Sequence, residues 1–128
     1  MDASRPEVPD WDFVAFPARG YMPNRYFKPH YAWSISLNPA KFATPAKDRV
    51  RVRVFPLSSK FQKAKQPLRL AYFNVSTDSF GAGPAIIFRP QPVSTEHRSR
   101  YLVEVSGLRR RDGRPAEIKY LVDFVRLP

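Results

Sequence analysis

The last part of the chain carries the pattern that most narrows the choice of fold. From Tyr101 to Val125, apolar and polar residues alternate on both sides of Asp112-Gly113. Period-two alternation puts every second side chain on one face of an extended strand. Asp-Gly at the midpoint is a strong two-residue hairpin signal, because both central positions of a type I′ turn need φ > 0. Folding the chain about this pair sets Val105 opposite Tyr120, Val103 opposite Val122 and Tyr101 opposite Phe124. The other face then pairs Ser106 with Lys119, Glu104 with Leu121 and Leu102 with Asp123. A slip of one residue would exchange the faces, so the register predicts a core of Tyr101, Val103, Val105, Tyr120, Val122 and Phe124. Pro115 falls opposite Arg110 in a pair that needs no N–H.

The rest of the chain is punctuated by 14 prolines against 5 glycines. Proline removes a backbone donor and stops helices, so this spacing favours short strands joined by stiff loops. A first strand is expected over Trp11–Phe16, followed by a Pro- and Gly-broken loop containing Tyr21, Tyr26 and Phe27. Trp33–Leu37 alternates apolar and small polar residues, the pattern of a half-buried strand. Arg49–Phe55 is the most regular strand: Val50, Val52 and Val54 share one face, Arg49, Arg51 and Arg53 the other. Further strands are expected over Leu68–Val75 and Ala85–Phe88, the latter central because it is apolar on both faces. No amphipathic helix stands out.

About seven strands at this spacing predict an all-β fold: an antiparallel two-sheet sandwich of the immunoglobulin or fibronectin III kind. Tyr101-x-Val103-x-Val105 also has the form of a tyrosine corner, in which a phenol hydroxyl bonds nearby backbone. The 128 residues fit one domain, expected over 11–128, with 1–10 as a polar lead-in or linker. Apolar residues at 43% supply a packed core.

Few chemistries are open to this composition. There is no cysteine, so disulfides and thiolate metal sites are excluded. His30 and His97 sit far apart in expected loops, and no serine lies in a nucleophile elbow. Ser76-Thr77-Asp78-Ser79 reads as a turn cluster bonding its own backbone. Glu104 and Glu117 fall on offset rows of the hairpin, which is unsuited to a carboxylate pair. Gly81-Ala82-Gly83-Pro84 puts proline where a phosphate-cradling turn needs N–H groups. No catalytic residue, metal site or cofactor is expected. No apolar run approaches the roughly 18 residues of a spanning helix. MDASRPEVPDWDF lacks a basic-then-apolar signal pattern, leaving a cytoplasmic protein or a piece of a longer exported chain.

Charge is the most distinctive functional feature. The net charge of +11 is uneven, with residues 13–76 holding twelve bases against Asp48 alone. Such a field attracts polyanions. The expected contacts are Arg49, Arg51 and Arg53 as a ladder along one strand, attached about 6–7 Å apart, and Arg109, Arg110, Arg111 and Arg114 at the hairpin tip. Lys60, Lys63 and Lys65 form a third basic group. The same arginines would equally keep a strand edge soluble and unpaired. Trp11 is the best candidate for a sugar-stacking aromatic, although a tryptophan in a first strand more often plugs the core.

Several short signatures also resemble a known bacterial domain. Phe16-Pro17-x-x-Gly20-Tyr21-x-Pro23, Trp33-Ser34-Ile35-Ser36, Ile86-Ile87-Phe88-Arg89-Pro90 and Tyr101-x-Val103-x-Val105-Ser106-Gly107 occur in that order. This succession is similar to the immunoglobulin-like domain that follows the CAP (cysteine-rich secretory protein type) domain in some exported bacterial proteins. Phe16 and Phe88 stand where that pattern usually has tryptophan. The resemblance spans roughly residues 11–125. It implies a non-catalytic accessory module that spaces or docks a neighbouring domain or another protein, located outside the cell or in its envelope. The residues themselves leave open a basic polyanion- or nucleic-acid-binding β domain and a carbohydrate-binding module.

Overall fold

The computed structural model describes residues 11–17, 19–23, 32–77, 83–93 and 98–127, with 19–23, 98 and 124–127 as backbone only. These residues form eight strands: β1 (Phe13–Phe16), β2 (Arg19–Pro23), β3 (Trp33–Leu37), β4 (Arg51–Pro56), β5 (Arg69–Ser76), β6 (Ala85–Gln91), β7 (Arg98–Arg109) and β8 (Pro115–Leu127). They make two four-stranded sheets, ordered β1-β3-β6-β5 and β2-β8-β7-β4. The all-β two-sheet expectation holds, and β6 is central as its two-sided apolarity requires.

One strand departs from the antiparallel plan. The segment after Pro17 was expected to be loop, yet Arg19–Pro23 runs parallel to β8, Arg19 beside Asp123 and Pro23 beside Leu127. The chain therefore leaves the first sheet at Phe16 and joins the edge of the second within a few residues. Proline is tolerated at such an edge, where one side of the backbone makes no ladder bond.

The inner faces follow the alternation. Trp33, Ile35 and Leu37 of β3 and Ile86 and Phe88 of β6 meet Val52 and Val54 of β4, Tyr101, Val103 and Val105 of β7, and Ile118 and Val122 of β8. Trp33 stands edge-on to Tyr101 at 5.5 Å between ring centroids and 6.0 Å from Phe88. Three signature aromatics of the resemblance are thus neighbours in the core. Tyr120 is half-buried beside Phe13, centroids 5.6 Å apart, and the side chain of Phe124 lies outside the described residues.

The hairpin register differs from the expected one by two residues. Tyr101 faces Val122, Val103 faces Tyr120 and Val105 faces Ile118. Two local features cause this. The connection is a three-residue loop, Arg111-Asp112-Gly113, closed by Arg110 N–H to Arg114 O (2.8 Å) and Gly113 N–H to Arg110 O (2.9 Å). Only Gly113 takes a positive φ, +87°, which marks a type I turn with a terminal bulge and not a type I′ turn. A second bulge at Ser106-Gly107, with Gly107 at φ +82°, shifts the ladder once more. A displacement of two residues keeps side-chain parity, so Tyr101, Val103, Val105 and Val122 are buried as expected and Tyr120 partly so. The true register also pairs Glu104 with Lys119 and Arg100 with Asp123, opposite charges, whereas the expected register set both carboxylates against leucines.

Candidate anion-binding surface

The β3–β4 connection and the β7–β8 hairpin are held together at one end of the sandwich. Asn38 is buried; its side chain donates to Trp11 O (2.6 Å) and accepts from Ala40 N–H (3.0 Å), which turns the chain back toward the hairpin. The chain then runs beside the extended tip: Ala43 N–H donates to Arg109 O and Arg111 N–H to Lys41 O, both at 3.0 Å. Gly83 packs against the same turn, where an added Cβ would lie 3.3 Å from the Pro39 ring.

Of the seven arginines expected to form the anion contact, the structure divides three roles. Arg110 is structural: its guanidinium donates to Asp12 (3.3 and 3.5 Å) and covers the Phe42 ring at 4.6 Å. Lys41 joins the same carboxylate at 3.2 Å. The Arg110 guanidinium, then Lys41, hold the Asp12 carboxyl below its ordinary 3.8. Arg53 is neutralised, since Glu104 lies 3.3 Å from Arg53 and also 3.3 Å from Lys63, which in turn sits 4.3 Å over the Phe55 ring. Lys63 is thus engaged by Glu104, while Lys60 and Lys65 are exposed.

The remaining arginines stay open to solvent. Arg49 is not in β4 but in the turn before it, its N–H bonded to Ala46 O, so the expected three-rung ladder has only Arg51 and Arg53 on the strand. The Arg49 carbonyl passes directly over Gly107, where an added Cβ would lie 1.9 Å from it. Among the described residues, Arg109 and Arg111 are anchored through backbone carbonyls, Gly113 O at 3.0 Å and Pro39 O at 2.7 Å. Arg114 is 84% exposed and forms a surface ion pair with Asp112 at 3.5 Å. Lys47, exposed in the same turn as Arg49, joins this end. Sequence reasoning missed Lys47, because only the packing of the β3–β4 connection along the hairpin brings it there.

Where β4 and β5 end their sheets on the same side, the sandwich is open. A groove of about 530 Å³ lies there, lined by Val50, Val52, Leu70 and Phe73 with Arg51, Arg53 and Ser106. No sequence signal marked it, because its walls come from opposite sheets.

Trp11 is 37% exposed and lies before β1, so it does not plug the core. His30, His97, Tyr26, Phe27, Tyr31, Asp78 and Ser79, and the side chain of Tyr21, fall outside the described residues. No helix is long and apolar enough to cross a membrane among the described residues. Neither a scan against protein-family models nor searches of curated proteins and solved structures return a match.

Proposed function

We propose that this chain is a non-catalytic interaction module on an immunoglobulin-type sandwich, which docks an anionic partner through its basic loop end. The strand order supports the fold assignment: β1-β3-β6-β5 against β8-β7-β4 follows the ABED and CFG order of constant-type immunoglobulin domains, with β2 added beside β8. The observation that carries the function is the division of labour among the cations. Arg110, Arg53 and Arg114 each have a carboxylate of the chain within ion-pair distance, whereas Lys47, Arg49 and Arg109 remain exposed at one end, on backbone fixed by the hairpin contacts. A preorganised cluster binds anions with less ordering cost than mobile side chains.

The setting follows from the resemblance: an accessory domain of an exported bacterial protein, positioned next to a CAP domain. What supports it is that Trp33, Phe88 and Tyr101 of the signature form one aromatic cluster. They are fold-defining residues, so the signature speaks for the scaffold and the loop end for the partner.

The test is elution from heparin-agarose. Changing Lys47, Arg49 and Arg109 together to Gln should lower the eluting salt and flatten the salt dependence, by about 0.7–0.9 in slope for each lost contact on nucleic acid. Arg53→Gln should elute close to wild type. Unchanged retention of the triple variant would remove the loop end as the contact.

A further inference from the structure

The open edge of β4 begins next to the loop end, at Val50, and offers more than apolar walls. In an antiparallel pair each residue points both N–H and C=O to the same neighbour, and successive residues alternate. Leu57 N–H donates to Arg100 O at 3.0 Å, so odd-numbered residues of this stretch face β7. Leu68 N–H donates to Val54 O at 2.7 Å and Ala64 N–H to Pro56 O at 3.0 Å, so even-numbered residues face away from it. The outward groups of Val54 C=O and Pro56 C=O are therefore satisfied, and Val50 N–H is taken by Ala46 O. Val50 C=O, Val52 N–H, Val52 C=O and Val54 N–H are left along the edge with no backbone partner among the described residues. They border the groove whose wall includes Leu70 and Phe73 of the opposite sheet.

We propose that this edge accepts a short extended segment of another protein as an added strand, about five residues long, alternating apolar and acidic side chains. The alternation follows from the two faces of β4. Inward side chains of the added strand would extend the row of Val50 and Val52 and cover Leu70 and Phe73, which are only half-buried. Outward side chains would lie beside the exposed Arg51, with Arg53 next to it already paired with Glu104. Main-chain bonds supply the affinity in this mode and the flanking side chains the selectivity. Charge also excludes a second copy of the chain: β4 paired with another β4 would set arginines beside arginines, a destabilising cross-strand arrangement. Arg51 faces Ser106 and has no carboxylate within ion-pair distance among the described residues, so an acidic residue there meets an unneutralised cation.

The probe is a capped heptapeptide alternating Glu and Val, compared with a peptide of the same composition in which the valines are contiguous. Titration followed by amide NMR should show saturable binding of the alternating peptide and slowed hydrogen exchange at Val52 and Val54. Arg51→Glu should weaken that binding by about tenfold or more, with its circular dichroism unchanged because Arg51 is an exposed residue. Arg51→Lys should restore most of it. Equal binding of both peptides, protection at β5 or β1 in place of β4, or an Arg51→Glu variant that binds normally would each overturn the proposal. Protection of Val52 that grows with protein concentration and needs no peptide would identify self-association and overturn it too. Heparin retention depends on Lys47, Arg49 and Arg109, so the two proposals fail separately.

Discussion

Replacing Gly107 by alanine should be among the most damaging one-carbon changes in this protein. Gly107 sits in the β7 bulge at φ +82°, and a left-handed conformation costs a non-glycine residue about 1–2 kcal/mol. Space is the larger problem. The new Cβ would lie 1.9 Å from the Arg49 carbonyl oxygen and 2.7 Å from its carbon. Ordinary contact begins near 3.4 Å, so β7 and the start of β4 must separate by about 1.5 Å. The obstacle is backbone, so no side chain can rotate away. Val50 and Val52 are tied to that backbone and are 6% and 8% exposed, so the separation loosens core packing, at about 1–3 kcal/mol for a strained, overpacked site. Together the loss is about 2–5 kcal/mol, a large share of a domain's total of about 5–15 kcal/mol. Gly113→Ala is the control, because its φ is +87° but nothing lies within 4 Å of the added Cβ; it should lose only the conformational 1–2 kcal/mol or so. Urea denaturation of both variants measures the difference directly. Equal midpoints for the two would show that the Arg49–Gly107 approach is not a rigid contact. Gly107→Ala should also lower heparin retention by moving Arg49, while Gly113→Ala lowers it less.

Three further outcomes follow from individual groups. Glu104→Gln leaves Arg53 and Lys63 without their shared carboxylate; elution from heparin should move to higher salt, while stability falls by only about 1 kcal/mol because both cations are half-exposed and rehydrate. Asp12→Asn tests pH linkage. The folded-state pKa of Asp12 is depressed, so its contribution is present above the ordinary value of 3.8 and fades as pH falls through the lower folded value. The stability gap between wild type and Asp12→Asn should be constant from about pH 5 to 8 and close in stronger acid; a gap that widens in acid would contradict the Arg110–Asp12–Lys41 cluster. Tyr120 buries a hydroxyl with no hydrogen-bond partner among the described residues, and burial raises its pKa. Tyr120→Phe should therefore be neutral or slightly stabilising by thermal denaturation, and a loss above about 1 kcal/mol would reveal a partner for that oxygen.

Much of the fold was legible because a strand's faces depend only on parity. Trp33, Ile35 and Leu37, Val52 and Val54, and Tyr101, Val103 and Val105 are all buried on the faces that alternation assigns them. The hairpin illustrates the limit. Asp112-Gly113 suits both a two-residue turn and a three-residue loop, since each needs a left-handed glycine. A glycine at 107 inside a strand was itself a bulge signal, and cross-strand pairing of Glu104 with Lys119 and Arg100 with Asp123 would have favoured the shifted register.

The basic surface was legible only as a composition. Seven arginines stood out in the sequence, but their roles depend on residues far away in the chain: Asp12 for Arg110, Glu104 for Arg53, Gly107 for Arg49. Strand identity, facing and the all-β class were determined by the sequence alone, because they arise from local alternation and from proline and glycine chemistry. The parallel β2, the neutralised and free arginines and the open β4 edge were decided by tertiary structure. Each depends on which distant backbone comes alongside, and a one-dimensional pattern holds no record of that contact.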